Sequence, residues 1–204
     1  MHKTSSVIFD LGGVLIDWNP RYVFTEEYFG SAEKQHFFFE NICTADWNEN
    51  QDAGYPIKKA TEELVVQFPD WEKAIRDYYG RWTEMLGGPI DETVNIFRQL
   101  KQNPSLKIYA LTNWSAELFP IALQKYDFLH WFDGRVVSGE ELTRKPFPEI
   151  YLRLLSRYNV NTAEALFIDD NLRNVKAAEA LGIPSVHFQS PEQLKEILYL
   201  QDLL

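Results

Sequence analysis

Three short apolar runs in this chain end in the same way. Val7, Ile8 and Phe9 run into Asp10, "LKIYALT" (106–112) runs into Asn113, and "EALFIDD" (164–170) closes on Asp169 and Asp170. Runs of this length and composition read as buried strands. A polar residue at the end of a buried strand is costly unless something pairs with it. Helix-length segments separate the runs, and strands alternating with helices pair in parallel through right-handed crossovers. In an open parallel sheet, ligands bind beyond the carboxyl ends of the strands. Adjacent strands lie about 5 Å apart, so residues distant in sequence can share one ligand there.

The remaining segments fill out this pattern. "GRVVS" (134–138) and "PSVHF" (184–188) supply two more strands. "PIDETVNIFRQLKQ", "SAELFPIALQKY", "FPEIYLRLLSRY", "NLRNVKAAEAL" and "PEQLKEILYLQDLL" read as helices. Pro120 falls inside the second of these and weakens its middle, and Gly182 suits the end of the fourth. Between residues 18 and 87 the alternation stops. That stretch breaks into amphipathic, aromatic-rich helical pieces, with Ser31, Thr44 and Asp70 as expected N-caps and Pro56 as an expected first helical residue. Gly87-Gly88-Pro89 is expected to close it. The sequence therefore predicts an α/β fold, a doubly wound parallel sheet of Rossmann-like kind formed by residues 1–17 and 88–204. A helical-bundle cap at 18–87 is inserted in it. The 204 residues and 45% apolar content are enough for such a core with one inserted lobe.

Three carboxylates gathered at one sheet end raise each other's pKa unless a cation neutralises them. Oxygen ligands without Cys or His suit Mg²⁺, which keeps several waters and pairs with a substrate phosphate. None of the four histidines has zinc-like spacing, and Cys43 has no partner cysteine. Asp170 alone could cap the helix after it, but that accounts for one acid of three. Lys145, in "TRKPFPEIY", sits at a turn stiffened by Pro146 and is a suitable point charge for a phosphate. Taken alone, it reads as a solvated surface lysine.

The net charge of −10 argues against a nucleic-acid surface, which needs a basic footprint. The single cysteine excludes an intramolecular disulfide and fits a reducing compartment. Cys43, after "FFFENI", reads as a small core residue. With no signal-peptide pattern and no apolar run of membrane-spanning length, a cytoplasmic protein without a membrane partner is expected. The oligomeric state is not readable from the sequence.

The motifs "VIFDLGGVLID", "ALTN", "RKPFPEIY" and "FIDDNLRNV", in this order, resemble the haloacid dehalogenase superfamily over nearly the whole chain. The insert resembles the cap of the subgroup that carries its cap between the first and second motifs. The wording of the first and last motifs is most similar to a branch containing sugar-phosphate phosphatases, glucose-1-phosphate phosphatase among them. The resemblance implies Asp10 as nucleophile, Thr112 as the hydroxyl that holds the transferring phosphoryl group, and Lys145 as the cation that neutralises both. It implies a Mg²⁺ site with Asp170 as ligand, Asp169 in or near the metal shell, and Asp10 and the Gly12 carbonyl completing it. Asn174 stands where many members carry a further acid. The implied activity is Mg²⁺-dependent hydrolysis of a small phosphorylated metabolite through an aspartyl-phosphate.

One position departs from the pattern. Many phosphatases of this family carry an acid two residues after the nucleophile, where this chain has Gly12. Such a group contributes about 10²–10⁴-fold. A slow phosphatase, a substrate with a good leaving group such as a sugar 1-phosphate, or an acid supplied from the cap would each accommodate the change. Haloacid dehalogenase activity is the first rival reading, and the Asp169-Asp170 pair has no use in it. A receiver-type signalling module is disfavoured by the order of its residues. A catalytically weak binding relative is kept open by Gly12. For substrate contact the expected residues are Asn113, Trp114 and Trp47, the last in the polar stretch "TADWNENQDAG". Trp71 and Trp82 read as cap packing, and Arg21 as either a site or a solvent residue.

Overall fold

The computed structural model describes residues 4–204. Its main sheet has five parallel strands: β1 (Ser6–Phe9), β4 (Lys107–Thr112), β5 (Gly134–Val137), β6 (Ala165–Asp169) and β7 (Ser185–His187), in the order β5-β4-β1-β6-β7. The strands β2 (Ile16–Trp18) and β3 (Leu86–Pro89) form a separate antiparallel ribbon. Side chains alternate across β1, as strand geometry requires. Val7 and Phe9 pack with the cluster that continues into the helical lobe, and Ile8 packs on the other face with Leu111, Tyr151 and Phe167. Phe9 stands opposite both Ala110 and Ile168, so β1 is central and its last residue meets the ends of β4 and β6.

Among the described residues, eleven α-helices accompany the strands. Five lie between β2 and β3: α1 (Glu26–Phe29), α2 (Ala32–Phe37), α3 (Ala45–Asp52), α4 (Ile57–Gln67) and α5 (Glu72–Gly80). The others are α6 (Asp91–Leu100), α7 (Phe119–Lys125), α8 (Ser138–Glu141), α9 (Pro148–Tyr158), α10 (Leu172–Ala180) and α11 (Pro191–Leu200). No helix among the described residues is long and apolar enough to cross a membrane.

The lobe's interior is aromatic. Phe24 meets Phe38 at 4.9 Å between ring centroids and stacks on Tyr78 at 5.8 Å, and Trp71 stacks on Phe37 and Phe38. Cys43 is buried in this cluster, where burial pushes its thiol well above the ordinary range. Arg21 lies over the Phe39 ring, 4.7 Å from its centroid.

Local signals held in part. Ser31 and Thr44 cap α2 and α3 by accepting the Lys34 and Trp47 amides, and Gly182 takes a left-handed φ of 79° after α10. Asp70 is not a cap: it lies in a 3-10 turn, and α5 starts behind Trp71. Pro56 occupies the N-cap position of α4 rather than its first turn. Pro120 does not interrupt a helix, because α7 begins at Phe119 and places the proline in the first turn, where no amide partner is lost. Gly87-Gly88-Pro89, expected to close the lobe, lies in strand β3. It pairs Leu86 with Trp18 and Pro89 with Ile16, tying the chain's exit from the sheet to its return.

Candidate active site

Asp10 is placed by the end of β1. Its amide donates to the Ile168 carbonyl at 2.8 Å, and its side chain is almost wholly buried. Oδ1 accepts the Leu11 amide at 2.7 Å and meets Lys145 Nζ at 2.9 Å. No donor among the described residues reaches Oδ2. The chain then turns at Gly13, where φ is 74°. A Cβ there would collide with the Asp170 carboxylate, so glycine is what lets Asp170 lie against the turn.

Lys145 is fully buried, which corrects its reading as a solvated residue. Its ammonium pairs with Asp10 and, at 2.7 Å, with Asp169 Oδ2. Burial opposes its charge, but the two carboxylates outweigh burial and hold the ammonium above its ordinary range. Asn113 fixes the lysine's backbone through two bonds: Nδ2 donates to the Lys145 carbonyl at 2.9 Å, and Oδ1 accepts the Lys145 amide at 2.8 Å. The amide expected to contact substrate is thus spent on holding Lys145, although Asn113 still lines the cavity.

Asp169 is fully buried and well supplied with donors. Besides Lys145, it accepts the Asn171 amide at 2.8 Å and Asn174 Nδ2 at 3.1 Å to both oxygens. Asp170 is freer, because the cap of α10 is Asn171, which accepts the Arg173 amide at 3.0 Å. Carboxylate oxygens of Asp10, Asp169 and Asp170 lie within 4.8 Å of one another. Burial, opposed by Lys145, together with the neighbouring carboxylates pushes Asp10 above the ordinary carboxylate range. Burial and Asp169 raise Asp170 as well. One ammonium against three carboxylates leaves a deficit that a divalent cation with oxygen preference would remove. The donor set fits Mg²⁺.

Thr112 ends β4. Its hydroxyl is buried and has no hydrogen-bond partner among the described residues. An unpaired buried hydroxyl costs free energy until a ligand satisfies it.

A cavity of about 210 Å³ opens above this sheet end. The core side contributes Asp10, Gly12, Gly13, Asn113, Trp114 and Asp170, and the other wall is Trp18, Asn48, Asp52 and Trp82. Trp114 is buried and meets Trp82 edge-to-face at 5.6 Å. Trp82 therefore packs, as expected, and also forms cavity wall. Trp47 does not: it lines a neighbouring cleft of about 540 Å³ with Tyr55 and Leu142, and it packs on Tyr78 and Tyr79. Asn48, Glu49 and Asp52 of α3 were not singled out from the sequence. Their signal was the polarity of "TADWNENQDAG", of which Asn48 and Asp52 line the cavity and Glu49 pairs with core arginines. Glu49 ion-pairs with Arg144, the residue before Lys145, at 2.6 Å and also with Arg173 in the first turn of α10.

A parallel α/β sheet with a buried carboxylate–lysine cluster at its carboxyl end is the arrangement of a hydrolase. The model for haloacid dehalogenase-like hydrolases matches residues 4–182, and the chain belongs to that family. A sesquiterpene phosphatase of Aspergillus oryzae is 28% identical over 182 residues, covering 89% of this chain and 88% of the relative. A phosphorylated carbohydrates phosphatase of Thermotoga maritima is 26% identical over 186 residues, covering 89% and 83%. Among solved structures, a HAD family enzyme of Bacteroides thetaiotaomicron in complex with magnesium and inorganic phosphate shares the fold. Its TM-score is 0.64 at 22% identity, over 91% of this chain and 94% of that one.

Proposed function

We propose that this chain is a Mg²⁺-dependent phosphatase of small phosphorylated metabolites, working through a phosphorylated Asp10. The observation that carries the reading is the Asp10–Lys145–Asp169 arrangement with Asp170 beside it. Lys145 and the Leu11 amide hold Asp10 by Oδ1, which leaves Oδ2 to attack phosphorus. The P–O bond to the leaving group breaks as the new one forms, and water then releases phosphate from Asp10. Lys145 offsets charge on the phosphoryl oxygens, and the Thr112 hydroxyl is assigned to one of them. Asp10, Asp170 and the Gly12 carbonyl would hold Mg²⁺, which when bound stabilises charge on the transferring phosphoryl group. Asp169 orients Lys145, and residues 18–87 act as the cap that excludes water.

The substrate side of the reading is a neutral leaving group, a sugar phosphate being the first choice. Beyond the carboxylates, the cavity offers indole rings and amides, and no lysine, arginine or histidine among the described residues lines it. Indole faces pack on sugar or other apolar faces. The two relatives' names, a carbohydrate phosphatase and a sesquiterpene phosphatase, both fit an uncharged leaving group. Displacement on carbon, as in a dehalogenase, would leave the carboxylate cluster without a purpose. Residence in a reducing cytoplasm agrees with the one cysteine. The test is a panel of sugar and prenyl phosphates plus 2-chloropropionate, with Mg²⁺ and with EDTA. Phosphate release that EDTA abolishes is the expected result, and chloride release without phosphate release would overturn the reading.

A further inference from the structure

Hydrolysis at Asp10 needs a proton donor for the leaving oxygen and then a base for the attacking water. Gly12 supplies neither. Among the described residues, three ionisable side chains line the cavity: Asp10, Asp170 and Asp52. The first two are committed to phosphorus and the metal. Asp52 comes from the last residue of α3, on the opposite wall.

Its placement is built rather than incidental. Ser138, fully buried at the end of β5, donates to the Asp52 carbonyl and accepts the Trp114 amide at 2.8 Å, which pins the end of α3 against the core. The side chain is oriented through Asn48. Tyr79 donates to Asn48 Oδ1 at 3.0 Å, which turns the amide so that Nδ2 donates to Asp52 Oδ2 at 2.9 Å. No side-chain donor among the described residues reaches Asp52 Oδ1.

We propose that Asp52 is the general acid and base of this enzyme, reaching in from the lobe to do what residue 12 lacks a side chain to do. The inference rests on the phosphatase reading. As Asp10 Oδ2 bonds to phosphorus, the leaving oxygen keeps the electron pair of the broken P–O bond and takes the proton of Asp52. The alcohol departs and Asp52 is left as carboxylate. Water then attacks phosphorus, its proton returns to Asp52, Asp10 is freed, and phosphate leaves.

The surroundings suit a group that must hold a proton near neutrality. Burial, then the Glu49 charge on the same helix, raise the Asp52 carboxyl to about 7; the Ser115 amide, Arg144 and Asn48 oppose them. Tyr78 and Tyr79 of α5 face it and stay protonated, since burial raises both well above the ordinary phenol range. Asp10 and Asp170 are the acids across the cavity. The acid form of Asp52 is therefore present below about pH 7 and lost above it.

The experiment compares the full-length protein with Asp52→Asn, at saturating Mg²⁺, on phosphate monoesters running from p-nitrophenyl phosphate to alkyl phosphates. Asp52→Asn should lose about 10²–10⁴-fold in kcat/KM on alkyl phosphates and far less on p-nitrophenyl phosphate, so that a shallow leaving-group dependence becomes steep. With p-nitrophenyl phosphate it should release one equivalent of nitrophenolate in a burst and then turn over slowly. The descending limb of kcat/KM near pH 7 on alkyl phosphates should vanish. Gly12→Asp in the Asp52→Asn background should restore alkyl phosphate turnover, because a Cβ at Gly12 meets nothing within 4 Å. An unchanged slope, or an equal loss on every substrate, overturns the assignment while wild-type phosphatase activity stands. A wild-type protein inactive on the whole series removes the phosphatase reading, and this one with it.

Discussion

The two walls of the cavity are made of different material. The sheet end presents charge: Asp10 and Asp170 face the space, with Lys145 and Asp169 locked behind them. The opposite wall presents Trp18, Trp82 and Asn48, with Asp52 as its one charge-bearing group. The first wall stands on strand ends, where Lys145 and Asp169 are fixed by several partners and Lys145 holds Asp10 by one oxygen. The second stands on the ribbon and the lobe, and it meets the first through the end of α3 and through Trp82 against Trp114. The reaction at phosphorus needs the same charges whatever the leaving group is, so those belong on the rigid sheet. Recognition and protonation of the leaving group can then vary with the lobe without disturbing the sheet.

Substitutions on the sheet wall should therefore be severe on every substrate, and those on the lobe wall graded. The largest effect is expected at Asp10→Asn, which should abolish turnover on all phosphate esters while the circular dichroism spectrum stays that of the wild type. Residual turnover at wild-type rate would mean that another group attacks phosphorus, and the contrast between the walls would fail at its strongest point. Asp170→Asn comes next. The Mg²⁺ concentration for half-maximal activity should rise by more than the roughly 10–100-fold that loss of an outer-shell partner costs, with a smaller change at saturating metal, as read by Mg²⁺ titration of activity. The smallest effect is expected at Glu49→Gln, which loosens the lobe from Arg144 and Arg173 and removes a charge that helps Asp52 hold its proton. A partly exposed ion-pair network is worth about 1 kcal/mol, or about fivefold in kcat/KM. The deficit should shrink as salt weakens the wild-type pairs, which steady-state kinetics across a salt series would measure.

The sheet wall was the readable one. Asp10, Asp169 and Asp170 stand at the ends of apolar runs, and parallel topology alone brings such ends together. The burial of Lys145 was not readable, because a lysine beside proline looks the same in a solvated turn; only the packing of two carboxylates around it distinguishes the cases. The ribbon was missed because strands of three and four residues, one of them containing Gly-Gly-Pro, carry no period to detect. The lobe wall was hidden for a related reason. α3 is polar along most of its length, with Gln51 its one buried residue, so no apolar stripe marks which face turns to the core. Hence Trp47, the conspicuous aromatic of that helix, drew attention away from Asn48 and Asp52, and it lies in the neighbouring cleft instead.

The open space beside Gly12 has a consequence for kinship. Since residue 12 has a conventional backbone and a vacant volume where its side chain would go, one codon change could install an acid there without repacking. Lineages would then be free to move the proton-carrying group between the first loop and the lobe. Across a set of homologues, positions 12 and 52 should trade places: an acid at one with relaxed identity at the other, and chains acidic at neither confined to esters that need no proton.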